Sequence, residues 1–367
     1  MTLTDPLKSF LIKKLLVPKV FRIDIPGYAI GRFYTPEGQN VFIRNAFFPE
    51  TFFFYLERMV MDELGPDGVG ELYAAAKEFG YVWAQANHLS RLNKESSIKL
   101  ATDFLEVFYA EQLRASVNVQ NKYVELYTKD LFITRISGGG YSLTVGGYAG
   151  LCAYVFDDYG IECGVAGQTG DYKLYCGTPE MLKNNNIQHF GRTRMPDSVD
   201  AGYIKYNKPP AKQMEAQFNL SKFMQDGMFN YQNGQLRFSI SDIRFAPVDI
   251  LLLHMLRMHI GSNVAYMAAR KAFAEVGSNI SKQKDPLIFL SELLTALGYG
   301  IVSVTKEEGG RSINFTGYPW YLGPESREFA YLKGMIEGFL EGQKDHSKIV
   351  DVESRINEDV FLVSVRL

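Results

Sequence analysis

The chain has 367 residues, and an average domain of about 150 residues predicts two domains. Apolar residues make up 46% and charged residues 22% of the chain, a balance that excludes wholesale disorder. The net charge of −2 excludes the positive field of a dedicated nucleic-acid binder, so we expect no direct nucleic-acid contact.

The N-terminal segment 10–17 is apolar except for Lys13 and Lys14. These charges are untypical of a signal peptide, and we predict a short packed helix that ends before Pro18. The alternative is a basic amphipathic helix that lies on an anionic membrane. No apolar run approaches the 18 or so residues of a membrane span, which predicts no transmembrane segment. An odd count of three cysteines excludes a disulfide framework and predicts a reducing compartment, hence a cytoplasmic location.

The sequence contains two runs with the same order of landmarks, about residues 21–180 and 214–367. Each run begins with a tight-turn signal between β-rich segments, at residues 36–39 in the first run and 232–235 in the second. Internal similarity of this kind predicts a duplicated domain.

Helical segments follow in both runs. Pro49 and Pro247 each precede an apolar segment that ends in Arg-Met, and proline fits the first turn of a helix. Segments 73–79 and 266–273, both rich in alanine, place their apolar residues on one helical face. Each run is therefore predicted to contain at least two helices here.

A second hairpin is predicted after these helices. In the first run, the strand 124–130 is followed by a return strand at 132–136. In the second run, the strand 301–307 is followed by a return strand at 312–315.

Each run then has a Gly-x-x-x-Gly step in a helical pattern, at Gly146 and Gly150 and at Gly334 and Gly338. Glycine at both ends of a four-residue step leaves a flat helix face, which we expect to pack closely on a sheet. A closing hairpin follows at the same spacing in both runs.

This order predicts an α+β fold: two copies of an antiparallel sheet with helices packed on it. We predict a first domain at residues 1–182, a linker at 183–212 and a second domain at 213–367. Two similar copies in one chain predict a pseudo-twofold internal pair, and further homo-oligomerisation stays open.

The pattern resembles the 4-vinyl-reductase-type domain, which is related to TRAPP vesicle-tethering subunits and to the haem-NO/Golgi-transport ligand-binding superfamily. The resembling segments are residues 72–80, 146–150 and 161–177, with residues 334–342 in the second run. The resemblance implies small α+β domains that dimerise and that serve in some members as sensors of aromatic molecules. Fold alone does not give the function, so it does not imply reductase catalysis.

In the sensor members of that family, the closing hairpin carries a glutamate and two cysteines that hold zinc. Glu162, Cys163 and Cys176 occupy this hairpin here, although the cysteine spacing departs from the family pattern. Zinc is therefore the one cofactor that the resemblance suggests. The alternative is that Cys163 and Cys176 are small buried hydrophobic residues, nearly opposite each other on paired strands.

Aromatic residues give the candidate ligand pocket. The resemblance implies a ligand between helices and sheet, and Tyr81, Trp83, Tyr148, Trp320 and Tyr321 are the candidates to line it. The alternative is ordinary core filling by the same side chains.

The sequence contains no recognisable catalytic motif, so a non-catalytic role is favoured over an enzyme. We expect a sensor or carrier that binds a small apolar molecule, aromatic or tetrapyrrole-like. The alternative is a scaffold or assembly subunit of TRAPP-like type that binds protein partners. A weaker alternative is an enzyme of tetrapyrrole metabolism.

Overall fold

The computed structural model confirms the α+β class, with helices packed on antiparallel sheets. No helix within the part of the chain that it describes is long and apolar enough to cross a membrane. The described residues are 21–34, 40–87, 89, 93–133, 141–168, 171–190, 220–232, 235–238, 243–307, 310–319, 329–357 and 360–367.

The described elements follow the same order in the two halves of the chain: three strands, three helices, a hairpin, one helix and a second hairpin. The first set is β1 (Phe21–Ile25), β2 (Tyr28–Tyr34), β3 (Asn40–Pro49), α1 (Glu50–Leu64), α2 (Pro66–Ala86), α3 (Lys94–Tyr109), β4 (Gln112–Asn118), β5 (Tyr123–Lys129), α4 (Tyr141–Phe156), β6 (Glu162–Gln168) and β7 (Asp171–Gly177), followed by the short helix α5 (Pro179–Asn184). The short helix α6 (Leu220–Gln225) precedes the second set, which is β8 (Phe229–Gln232), β9 (Gln235–Phe238), β10 (Arg244–Asp249), α7 (Ile250–Ile260), α8 (Ser262–Asn279), α9 (Pro286–Ala296), β11 (Ile301–Glu307), β12 (Gly310–Thr316), α10 (Ala330–Gly342), β13 (Asp351–Asn357) and β14 (Val360–Arg366).

These strands form three antiparallel sheets, with the orders β1-β2-β3-β10-β9-β8, β4-β5-β7-β6 and β11-β12-β14-β13. The two hairpins predicted from turn signals are confirmed, because β2 pairs with β3 and β8 pairs with β9. In the six-stranded sheet, β3 and β10 pair with Phe47 opposite Pro247 and Pro49 opposite Phe245.

The second hairpin is confirmed in one run and wrong in the other. β11 and β12 pair as predicted. β5 instead pairs with the preceding strand β4 and with β7, while Phe132 lies in a turn and residues 134–136 are outside the described residues. The sequence analysis missed β4 because Arg114, Ser116 and Asn118 alternate along it on an exposed face, which leaves too few β-rich residues to mark a strand.

The described chain forms two compact units. One contains residues 57–190 and 254–261, and the other contains residues 21–56, 220–253 and 262–367. The unit boundary falls inside α1 and inside α7. The predicted domains 1–182 and 213–367 and the predicted linker 183–212 were drawn from the repeat in the sequence. This division into domains stays a prediction.

The Gly-x-x-x-Gly faces pack on helices, so the prediction that they pack on a sheet is wrong. In the first unit, a Cβ at Gly146 would overlap the carbonyl oxygen of Tyr73, and one at Gly150 would overlap that of Lys77. Both carbonyls belong to α2, so α2 and α4 approach until their backbones touch. Helix α2 contributes Gly80, where a Cβ would overlap the backbone of α4.

The second unit contains a similar contact between α8 and α10. A Cβ at Gly334 would overlap the carbonyl oxygen of Tyr266, and one at Gly338 would overlap that of Arg270. The flat faces meet helices because only another helix presents a row of backbone atoms that matches a four-residue step.

A buried arginine joins three loops of the second unit. The Nη2 atom of Arg44 lies 2.8, 3.2 and 2.9 Å from the carbonyl oxygens of Gly27, Gly298 and Gly317. All three glycines have positive φ angles, which non-glycine residues rarely adopt. The guanidinium lies 3.7 Å from the centre of the Tyr28 ring, and burial lowers its pKa to about 10. Arg44 therefore supplies a donor to all three carbonyl groups, and the Gly27 carbonyl also accepts from the amide of Gly300.

The glycine contact gives a prediction with an internal control. We expect Gly150→Ala to lower the free energy of unfolding by about 2 kcal/mol, because the added methyl group forces α2 and α4 apart. Gly147→Ala on the same helix has open space at its Cβ, so we expect unchanged stability or a gain of up to about 1 kcal/mol. Urea denaturation of both variants measures the difference, and equal stability would contradict the packing.

Arg44 gives a second prediction. Arg44→Lys keeps the positive charge but removes the planar guanidinium, so we expect a loss of about 3 kcal/mol in the free energy of unfolding. Arg366→Lys, at an exposed residue whose carboxylate partner lies 3.8 Å away, should change stability by less than about 0.5 kcal/mol. Denaturation midpoints that fall equally in both variants would show that the three carbonyl contacts contribute nothing.

Candidate functional site

The first candidate site is a buried polar cluster between α2 and β6. Lys77 Nζ lies 2.8 Å from Glu162 Oε1, and neither side chain is exposed to solvent. The hydroxyl of Tyr73 donates to Glu162 Oε2, so both carboxylate oxygens are bonded. Lys77 also donates to the carbonyl oxygen of Tyr159 at 3.0 Å. The hydrogen bonds of Lys77 and of both Glu162 oxygens thus offset the desolvation cost of burying the two charges.

The glycine contact positions this cluster. Tyr73 and Lys77 are four residues apart, which places them on one face of α2. Their carbonyl groups are the ones that Gly146 and Gly150 of α4 approach. Because β6 follows α4 after a short turn, the same close approach places Glu162 beside both side chains.

Burial sets the proton positions in the cluster. Burial and the nearby Glu162 raise the pKa of Tyr73 well above its ordinary value, so the phenol keeps its proton and donates it. Burial lowers the pKa of Lys77, and the hydrogen bond to Glu162 opposes this shift. Tyr73, Lys77 and Glu162 are buried and hydrogen-bonded within the cluster. The cluster therefore acts as a polar clamp that holds β6 on α2.

The two hairpin cysteines lie opposite each other, as predicted. Cys163 on β6 pairs with Cys176 on β7 at a Cα–Cα distance of 4.1 Å, and the two sulfurs form a disulfide. Cys152 is free and buried, and burial raises its pKa to about 12. One disulfide plus one free cysteine accounts for an odd count, so that count no longer argues for a reducing compartment.

The predicted zinc ligands are not arranged as a metal site. Cys163 and Cys176 are bonded to each other, and Glu162 is bonded to Lys77 and Tyr73. Among the described residues, no group of three or more His, Cys, Asp or Glu side chains could hold a metal ion. The spacing of 13 residues between the cysteines suits a cross-strand pair in a hairpin.

The second candidate site is an open groove of about 800 Å³ in the first unit. It lies at the end of α2, the start of α3, the turn after β4 and the end of α4. The rings of Tyr81 and Tyr154 meet edge to face with their centres 5.4 Å apart. The lining residues are Tyr81, Asn93, Lys94, Val119, Tyr154, Val155 and Asp157.

The structure separates the five predicted pocket residues. Tyr81 lines the groove. Trp83 is partly buried against the core and lies 6.0 Å from the ring of Phe104, while Tyr148 is buried in the core of the same unit. Trp320 and Tyr321 lie outside the described residues. Core filling therefore accounts for Trp83 and Tyr148.

Two charged residues stand at the groove. Lys94 is the first residue of α3, and its Nζ lies 5.8 Å from the centre of the Phe156 ring. Asp157 follows α4 with a φ angle of 55°. Burial and the charge of Asp157 raise the pKa of Tyr81, so the phenol stays protonated at neutral pH. The groove thus combines two aromatic rings with one cation and one anion.

The sequence analysis missed most of these residues. Tyr73 and Lys77 were assigned to an apolar helix, although a lysine on a buried face indicates a buried partner. Glu162 lies 85 residues from Lys77, so no local pattern could pair them. Tyr154 and Lys94 carry no motif, and the fold alone brings them together.

Comparisons with known proteins add no relative: no family model, no curated protein and no solved structure matches the chain. The resemblance to the 4-vinyl-reductase-type domain stays a prediction.

The buried pair gives a prediction. We expect Lys77→Met to lower the free energy of unfolding by about 3–5 kcal/mol, because Glu162 would stay buried without its cation. Lys99→Met removes an exposed pair with Glu95 and should cost less than about 1 kcal/mol. The double variant Lys77→Met with Glu162→Gln should lose much less than the sum of its single changes, as measured by denaturation. Additive losses would contradict a coupled pair.

Proposed function

We propose that the protein binds a small, flat, largely apolar molecule in the groove at Tyr81 and Tyr154, without changing it chemically. The observation that carries this proposal is the groove itself. Its volume of about 800 Å³ falls within the range of small-molecule sites. Two aromatic rings favour a planar ligand, and Asn93, Lys94 and Asp157 add polar groups to the lining.

The side chains that line the groove support a particular class of ligand. The rings of Tyr81 and Tyr154 offer apolar surface, and Val119 and Val155 extend it. Lys94 offers one positive charge for a peripheral acidic group. An aromatic or tetrapyrrole-like molecule with a carboxylate or sulfonate has this combination of features.

A binding role without catalysis is supported by where the perturbed groups lie. Tyr73 and Lys77 have shifted pKa values, but they bond to Glu162 and are buried away from solvent. An active site would need such groups in reach of a substrate. Tyr81 does line the groove with a shifted pKa, but the shift is upward, so its phenol stays protonated at neutral pH. The groove supplies surface and charge, which suits a sensor or carrier.

We further propose that the chain is a duplicated domain with a pseudo-twofold internal pair. The repeated order of elements supports this, as do the similar glycine contacts of α4 and α10. The register between β3 and β10 supports it too. Adding 198 to positions 47 and 49 gives 245 and 247. Phe47 pairs with Pro247 and Pro49 pairs with Phe245, so each residue pairs with the equivalent of the other, as a twofold axis requires.

A role in protein assembly is the second candidate, favoured by exposed apolar side chains of the first unit. Met61 and Leu64 on α1 are 44% and 43% exposed, and Met258 on α7 is 63% exposed. Exposed large apolar side chains are a feature of surfaces that bind partners. This candidate requires no ligand in the groove.

Ligand titrations test the proposed function. The probes are 1-anilinonaphthalene-8-sulfonate and protoporphyrin IX, both aromatic anions, and their binding to the full chain is followed by fluorescence. We expect Tyr154→Ala to weaken probe binding about tenfold, because one wall of the groove is lost. Tyr127→Ala is the matched control, since Tyr127 is partly buried on β5 and does not line the groove.

The outcomes separate the two candidates. Saturable binding that Tyr154→Ala weakens and Tyr127→Ala leaves unchanged supports the groove. No saturable binding of either probe, or equal weakening by both variants, would reject it and favour the assembly role.

A further inference from the structure

A histidine of α7 bridges two carboxylates of α2 in the first unit. The Nδ1 atom of His259 lies 2.9 Å from Glu71 Oε2, and its Nε2 atom lies 3.3 Å from Glu78 Oε2. The His259 side chain is 25% exposed, so the bridge is partly shielded from solvent, but the imidazole can still exchange protons with it.

The bridge requires a particular protonation state. A neutral imidazole has one donor nitrogen and one acceptor nitrogen, whereas a carboxylate only accepts. Both contacts can be hydrogen bonds only when His259 carries two protons and a positive charge. Glu71 and Glu78 are seven residues apart, about two turns along the same face of α2, so the imidazolium also separates two like charges.

We propose that His259 is a proton-operated clasp: the imidazolium bridges Glu71 and Glu78 and holds the end of α7 on α2, and loss of its proton releases that end. The clasp is independent of the ligand groove and of the Tyr73–Lys77–Glu162 cluster. It makes the packing of residues 254–261 depend on ambient pH.

The pH window follows from the neighbouring charges. The hydrogen bond to Glu78 raises the pKa of His259, burial opposes it, and the bond to Glu71 adds to it. The pKa of the folded state therefore lies above the unfolded value of about 6.5. The stabilisation is complete below about pH 6.5 and is lost as the pH rises through the folded pKa.

Other charged and titratable groups lie on the two helices that the clasp joins. On α7, burial and the positive charge of Arg257 lower the pKa of His254 to about 4, so His254 is already neutral. On α2, Glu71 and Glu78 are the groups that face His259.

Burial raises the pKa of Asp249 to about 7, and its carboxylate accepts a hydrogen bond from the amide of Leu251 at the start of α7. A pH response of α7 is therefore assigned to His259 by its loss in His259→Gln, which keeps Asp249 in place.

The first test is an NMR titration of the full chain with isotope-labelled histidine, in which His259→Gln assigns the His259 signal. We expect a titration midpoint above 6.5 that falls by about one pH unit in Glu78→Gln. Glu180→Gln, an exposed carboxylate on α5, is the matched control and should leave the midpoint unchanged. A midpoint that Glu78→Gln does not move would overturn the clasp.

The second test measures the end of α7 directly by hydrogen exchange. At pH 6 we expect the amides of residues 254–261 to exchange roughly threefold faster in His259→Gln than in the parent protein, since an exposed bridge is worth little. At pH 9 the two proteins should exchange at the same rate in this segment. Equal rates at both pH values, or the same difference at both, would overturn the proposal.

Discussion

The backbone contact between α2 and α4 is the constraint on which the first unit depends. Gly146 and Gly150 remove the side chains that would keep the helices apart, and the carbonyl groups of Tyr73 and Lys77 fill the space. Dispersion contacts between two backbones accumulate along such a face and fix the relative rotation of the helices. Any residue larger than glycine at these positions would move α2 away from the sheet that follows α4.

The buried cluster follows from this constraint. With the helix pair fixed, Lys77 and Tyr73 have no route to solvent, and their charge and hydroxyl need partners. Glu162 supplies both contacts from the first residue of β6. The next residue, Cys163, is tied to Cys176, so the polar clamp and the disulfide act on neighbouring positions of one strand. Strand β6 is thus fixed both to a helix and to its neighbouring strand.

The sequence predicted the elements whose signals are local. Turn residues marked the hairpins of the six-stranded sheet, and the glycine steps marked α4 and α10. The sequence did not predict β4, because the exposed Arg114 and Ser116 interrupt its β-rich residues. It also predicted a sheet as the packing partner of the glycine faces, where the structure has a helix. The candidate sites were out of reach for a different reason. Lys77 meets Glu162 across 85 residues, and His259 meets Glu78 across 181, so only the fold brings these charges together.

Equivalent helical positions in the two units bind carboxylates from different elements. Tyr266 and Arg270 on α8 have the four-residue spacing of Tyr73 and Lys77, and they pack on the glycines of α10 in the same way. Their carboxylate partners, Glu337 and Glu341, come from α10 itself, and the Arg270–Glu341 pair is exposed.

In the first unit the carboxylate comes instead from a strand, β6. The charge pair is therefore buried, and it attaches α2 to the sheet, whereas the glycine contact attaches α2 to α4. An exposed pair contributes little to stability, whereas a buried pair fixes one geometry at the cost of desolvation. The same four-residue spacing on a helix therefore gives a buried attachment between helix and strand in the first unit, and a surface pair between two helices in the second.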